Sequence, residues 1–193
     1  MSLIRPVTLA DEAVLRDFFA ALSVESRYLR FFAPVTPSRA LLDLMVGKPA
    51  HVDAIIALAD GAIVGHAMAA DRPAAANPGD ARGTDVGVVV ADAWQRHGVG
   101  AALMRALISR AQARGVTSVI MDVLPGNRRV LSMITSHWPQ AVIKAAPDSL
   151  DIRLPLSPYQ PPDRPRAPRP YASRPAAAVS RGAAGKALAA AGR

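Results

Sequence analysis

The chain has 193 residues, 51% of them hydrophobic but only 5% aromatic, with no cysteine and a formal charge of +8. That length suits one compact domain, or one domain plus a tail, with a core built from Ala, Val, Leu and Ile, and it leaves no disulfide, thiolate metal site or cysteine nucleophile. Met1–Asp11 lacks the apolar stretch of a secretory signal and no apolar run is long enough to span a bilayer, so a soluble cytoplasmic protein with no membrane partner is expected.

Leu3–Val7 reads as a first strand. Thr8 stands three residues before Asp11, a capping-box spacing that opens a helix whose buried face is Val14, Leu15, Phe18, Phe19 and Leu22. Ser23 caps a second helix running to Phe32, which Pro34 ends. Thr36-Pro37 starts a third, with Leu41, Leu42 and Met45 as its apolar side and Gly47 as its stop. The period then changes. Asp53–Ala59 and Ala62–Ala70 form a hairpin about Asp60-Gly61, and Asp71–Gly83, with its prolines and glycines, reads as a flexible surface loop. Thr84–Val90 is a fourth strand, Gly98–Arg114 a helix, Thr117–Leu124 a fifth strand and Asn127–His137 a last helix. Val142–Lys144 and Leu150–Leu156 are weaker strand candidates. This order predicts a mixed α/β sheet with helices on both faces, not a fully parallel one.

The basicity is confined to the end of the chain. Residues 1–156 carry 16 Lys+Arg against 14 Asp+Glu, whereas residues 157–193 carry 7 against Asp163 alone, with 7 Pro and 11 Ala. Two domains follow: a folded domain over 1–156 and a basic tail over 157–193 with too few large apolar groups to order itself. No nucleic-acid partner is expected beyond weak electrostatic contact through that tail. A homodimer is left open.

The informative stretch is Val86-Gly-Val-Val-Val-Ala-Asp-Ala-Trp-Gln-Arg-His-Gly-Val-Gly-Ala-Ala-Leu103: an apolar strand, a short turn, two glycines one residue apart, then an amphipathic helix. A helix N-terminus leaves backbone N–H groups unpaired and carries partial positive charge, and glycine lets a phosphate approach without a Cβ in the way. The spacing separates phosphate folds. A dinucleotide-binding turn needs a third glycine where Leu103 stands, and no Gly-Lys-Ser/Thr triplet occurs. What remains, Gln95-x-x-Gly98-x-Gly100-Ala101, resembles the acetyl-CoA signature of GNAT acetyltransferases. Val88–Trp94 is similar to that family's fourth strand and turn, Leu124-Pro-Gly-Asn127-Arg-Arg-Val-Leu131 to the start of its next helix, and Ser26–Phe32 to a helix of protein acyltransferase domains. Together the resemblance covers about residues 3–138.

The resemblance implies a GNAT-like α/β fold: a mixed, mostly antiparallel twisted sheet of about 6–7 strands with helices on both faces. It implies acetyl-CoA as cosubstrate and an amine acceptor, a protein lysine or a small molecule, acetylated by direct attack in a ternary complex. The backbone of Arg96, His97, Gly98, Val99, Gly100 and Ala101 would cradle the diphosphate. Val88, Val89 and Val90 would meet pantetheine where the family's fourth and fifth strands splay, with a fourth-strand N–H near Val88 as oxyanion donor. Asn127 would touch the pantetheine arm, cap the helix, or both.

For chemistry, an amine must lose its proton, and Asp85 is the candidate base because many family members place a glutamate there; a solvated strand-edge carboxylate is the other reading. The sequence departs from the family pattern at the acid. Ser136–Lys144 has no tyrosine, and His137 is either a substitute donor or a structural side chain. No His/Asp/Glu cluster has metal-ligand spacing, so no metal is expected. The missing tyrosine and the shorter carboxylate keep a second function open, an acyl-CoA-binding sensor or structural module without turnover.

Overall fold

The computed structural model describes residues 3–73 and 82–156; the expected tail at 157–193 and most of the expected loop at 71–83 lie outside the described residues. Seven strands form one sheet in the order β1-β2-β3-β4-β5-β7-β6: β1 (Leu3–Pro6), β2 (Val52–Ala59), β3 (Ala62–Asp71), β4 (Gly83–Val90), β5 (Ser118–Val123), β6 (Val142–Ala145) and β7 (Leu150–Pro155). Every adjacent pair is antiparallel except β4 with β5. The expected α/β architecture is therefore present, with both weak C-terminal strand candidates realised as a hairpin.

Helices cover both faces. On one lie α1 (Glu12–Ala21), α2 (Val24–Phe31) and α3 (Arg39–Met45), whose Leu15, Phe18, Phe19, Leu42 and Met45 pack on Ile56, Met68 and Val89. On the other, α4 (Val99–Ala113) lays Val99, Leu103 and Leu107 on β2 and β3, and turns Met104 and Ile108 toward α5 (Arg128–His137) and the β5–β7 side. Phe19, Leu103, Leu107 and Ile134 are sealed from solvent or nearly so. Truncating a side chain in that position costs about 2–5 kcal/mol.

Local chemistry sets the boundaries. Asp11 receives the Thr8 backbone N–H at 2.8 Å, as the spacing predicted, but the chain first makes one 3-10 turn at Leu9–Asp11 before α1 begins. Val14 is exposed, unlike the four residues expected to share its face. Ser23 caps α2 by accepting from Ser26 N–H. The third helix starts later than Thr36: Ser38 is the residue that accepts an α3 amide, from Leu41, so Thr36-Pro37 stays extended before it. Asp60 and Gly61 both adopt positive φ, which the tight β2–β3 turn requires. No helix among the described residues is long and apolar enough to cross a membrane.

Candidate functional site

The sheet opens at its centre. β4 pairs with β3 along Thr84–Val90, but with β5 only over Gly83–Asp85 against Ser118–Ile120. Beyond Asp85 and Ile120 the two parallel strands part. Strand alternation then fixes which backbone groups face the gap. Gly83 C=O accepts from Arg72 N–H and Ala91 N–H donates to Val64 C=O, both at 2.9 Å, so odd-numbered residues of β4 turn their peptide groups to β3. Even-numbered residues turn theirs toward β5, and past the last pair these are Val86, Val88 and Val90. Val90 C=O accepts from Gln95 Nε2 at 3.3 Å, which leaves Val86 and Val88 facing the opening. Of the three valines expected there, Val89 faces β3 opposite His66 and buries its side chain among α1 and α3.

The turn after β4 is built for an uncapped helix start. Asp92–Trp94 forms a 3-10 turn, and Arg96 (φ 65) and Gly98 (φ 79) take left-handed conformations that swing the chain into α4. Gly98 is the N-cap residue and supplies no side chain; no acidic residue stands in the first turn. The first intrahelical bond is Ala102 N–H to Gly98 C=O, so the amides of Val99, Gly100 and Ala101 are the orphan donors of this terminus. A Cβ at Gly98 would meet nothing within 4 Å, and one at Gly100 would make only ordinary contact with Val90 and Met133. The space over this turn is therefore not filled by the protein. Three bare amides at a positive helix end, with room above them, fit a diphosphate.

Two of the expected ligands have a role within the protein. Exposed His97 points Nδ1 at Gln95 C=O, 2.8 Å away, so its ring braces the turn. Asn127 caps α5, its side-chain oxygen accepting from Val130 N–H at 3.3 Å, and is buried.

A polar latch escaped the sequence reading. Gln95 donates from Nε2 to Ser26 Oγ (2.9 Å) and accepts at Oε1 from Arg129 (2.7 Å). Asp92 receives Ser23 N–H and the hydroxyls of Ser23 and Ser26 at 2.7–2.9 Å. Burial would raise the Asp92 carboxyl, but those serine hydrogen bonds win and hold it below its ordinary value. The glycine turn is thereby tied to the start of α2 and to α5. Only the Ser23–Ser26 cap was signalled by sequence; the long-range partners had no local pattern to reveal them.

On the α2 side of the opening lie the charged groups. Asp85 is clamped by Arg72, which reaches Oδ2 through Nε (2.9 Å) and Oδ1 through a terminal nitrogen (2.7 Å). Val119, Met121 and Val123 pack beneath α4 and α5, so alternation puts Ile120 and Asp122 on the same face as Asp85 and Gly87. Asp122 lies two residues beyond Ile120, the last β5 residue paired with β4, and so across the opening from Gly87. Asp122 is exposed, forms no ion pair among the described residues, lies in the field of Arg72, and takes a 3.4 Å bond from Ser149 Oγ. Arg30, on α2, rests its guanidinium on Gly87, where any Cβ would run into it. That guanidinium stacks against Phe31 (5.1 Å to the ring centroid), has a buried Nε with no acceptor and forms no ion pair; burial lowers its pKa to about 10. His137 donates from Nδ1 to Met133 C=O at 3.0 Å, capping its own helix. Sequence reading singled out neither Arg30 nor Asp122, because only the fold puts both on this face of the sheet.

Known proteins share this fold. Residues 17–136 match the model of the acetyltransferase (GNAT) family. Among solved structures, the GNAT domain of S. lividans PAT is 24% identical with a TM-score of 0.69, over 80% of this chain and 90% of that one. The ribosomal-protein-alanine N-acetyltransferase of Brucella melitensis is 19% identical (TM-score 0.63; 80% and 99% covered). A phosphinothricin acetyltransferase of Sinorhizobium meliloti, solved with AcCoA, is 16% identical (TM-score 0.62; 80% and 88% covered). No curated protein matches the chain. With more than half its length matched by the family model and the fold shared throughout, the chain belongs to the GNAT acetyltransferase family.

Proposed function

We propose that the protein is a cytoplasmic, acetyl-CoA-dependent N-acetyltransferase that acetylates an amine by direct attack in a ternary complex. The observation that carries this reading is the uncapped start of α4 beside the β4–β5 opening: the amides of Val99, Gly100 and Ala101 hold the diphosphate, and the opening receives the pantetheine arm. Acetyl-CoA supplies an acyl group already activated as a thioester. Val88 N–H donates to the thioester oxygen as negative charge develops there. The amine arrives from the α2 face, because α4 and α5 cover the other.

An alkylamine is protonated at neutral pH and must give up a proton before its lone pair can attack. Asp85 accepts that proton through a water, since Arg72 occupies both carboxylate oxygens. That clamp is also the observation favouring a second reading, in which Asp122, on β5 and in no ion pair among the described residues, is the base. As the C–S bond breaks, solvent protonates the thiolate. No tyrosine is needed for that step, because a thiolate is a stable leaving group.

The relatives' names span a protein acceptor and a small one, so they leave the acceptor class to experiment. Calorimetry with CoA, followed by thiol release from acetyl-CoA across amines and lysine peptides, tests the reading. Binding with amine-dependent release supports it; binding without release makes the chain a sensor, and no binding removes both.

A further inference from the structure

The charges on the α2 face carry more than the transfer reaction needs. Arg72 is bound by Asp85, with Asp122 also in its field, yet among the described residues Arg30 and Asp122, opposite in charge and on the same face of the sheet, form no ion pair with each other or with another side chain. The three atoms nearest to a Cβ on Gly87 all belong to the Arg30 guanidinium, so the missing side chain lets that group lie on the strand. Arg30 does not serve the diphosphate cradle. It rests on Gly87, three residues before Val90 and about 10 Å back along β4 at ~3.3 Å per residue, whereas Gly100 packs beside Val90. A planar guanidinium with unshared donors is matched to a carboxylate, which it binds through two parallel hydrogen bonds.

We propose that Arg30 and Asp122 form a zwitterion site, so that the acceptor is a small amino acid whose carboxylate binds Arg30 and whose ammonium enters beside Asp122. The proposal rests on the acetyltransferase reading. Gly87 immediately precedes Val88, whose N–H faces the thioester position, so a carboxylate on Arg30 leaves the amine only a few bonds away from the carbonyl it attacks. A lysine within a peptide has no free carboxylate at that distance from its amine, and is a poor fit.

The test uses the full chain with acetyl-CoA and the standard amino acids, β-alanine and γ-aminobutyrate, each beside its carboxamide, together with a lysine peptide. The expected result is a kcat/KM preference for an acid over its amide of about ten-fold or more. Arg30→Gln should abolish that preference while CoA affinity, read by calorimetry, is unchanged; Arg30→Lys should keep part of it. Gly87→Ala, which displaces the guanidinium without deleting it, guards against a folding defect and should also erase the preference. Asp122→Asn should raise KM for every amine. Equal use of acid and amide, an equal loss on both in Arg30→Gln, or fastest turnover with the lysine peptide would overturn the proposal and leave acetyl transfer intact. If CoA binds but nothing turns over, the Arg30 Nε–H resonance decides. A shift on adding N-acetylglycine, but not its amide, to the CoA-loaded protein supports the site; no shift sinks it.

Discussion

Arg72 and Asp85 form a two-point ion pair across the end of the β3–β4 ladder, with contacts of 2.9 and 2.7 Å, and both side chains remain 48% exposed. An exposed pair of this kind contributes at most about 1 kcal/mol to stability. Its effect lies in holding the carboxylate in one orientation at the edge of the opening. Asp85→Ala should therefore lower kcat for acetyl transfer by about 10²-fold or more with CoA affinity unchanged. Arg72→Ala should leave the melting temperature nearly untouched yet lower kcat by freeing the carboxylate. Asp122→Asn run in parallel locates the base: if the large kcat loss falls on it and not on Asp85→Ala, the proton goes to β5.

The two glycines of the turn are separable. Gly98 needs its positive φ, so Gly98→Ala should cost about 1–2 kcal/mol in folding. Gly100 lies inside α4 in ordinary conformation, with space for a Cβ, so Gly100→Ala should be neutral or stabilise by up to about 1 kcal/mol. That methyl would meet the side chains of Val90 and Met133, so CoA affinity measured by calorimetry should be unchanged for Gly100→Ala while the protein melts no lower; a fall in affinity would place the diphosphate against that side of the turn.

The strand and helix order, the hairpin at Asp60-Gly61 and the glycine turn were legible because each rests on local pattern: apolar period, a turn dipeptide, a helix start. Ser38 displaced Thr36 as the α3 cap because the two sit two residues apart and either hydroxyl satisfies the local rule. Val14 broke the α1 pattern because a helical stripe read from spacing is wider than the face the sheet covers. Asp85 was singled out through its place before the glycine turn, but its Arg72 clamp was not, since the Asp71–Gly83 stretch gave no register. Arg30 over Gly87, with Asp122 on the same face of the sheet, depends on how α2 packs on β4 and where β4 leaves β5, a tertiary fact with no sequence period.

The latch around Gln95 predicts a coupling between folding and cosubstrate affinity. Gln95 joins Ser26, Val90 and Arg129, while Asp92 gathers three donors from Ser23 and Ser26. Gln95→Ala leaves the Val90 carbonyl without this donor and unties α2 from the turn, which should cost about 1–3 kcal/mol. Arg96 and Gly98 would then lose the bracing that keeps their left-handed conformations in place, and CoA affinity should fall although Gln95 itself faces the protein. A double-mutant comparison of Gln95→Ala with Asp92→Ala, read by chemical denaturation, should show strongly non-additive losses, because both substitutions release the same Ser26 hydroxyl. Additive losses would mean that the two side chains act separately.

His66 sets the acid limit of the fold. It is sealed in the core with Phe19 against its ring (5.4 Å), gives Nε2–H to Met45 C=O at 2.9 Å, and leaves Nδ1 buried without a partner. Burial pushes its pKa down to about 3; the Met45 carbonyl opposes that, and the nearby Arg30 guanidinium adds to it. In the unfolded chain the same imidazole titrates near 6.5. Between those two values the unfolded state holds a proton that the folded state refuses, so stability falls as pH drops, beginning at about 6.5, by up to ~1.4 kcal/mol per pH unit. His66→Gln, which keeps an N–H for Met45 but cannot ionise, should lower stability modestly at neutral pH and flatten this slope. Thermal or urea unfolding between about pH 7.5 and 5 isolates the effect, because the depressed carboxyls Asp11 and Asp92 titrate only below that window. A slope that survives in His66→Gln would assign the acid sensitivity to another group.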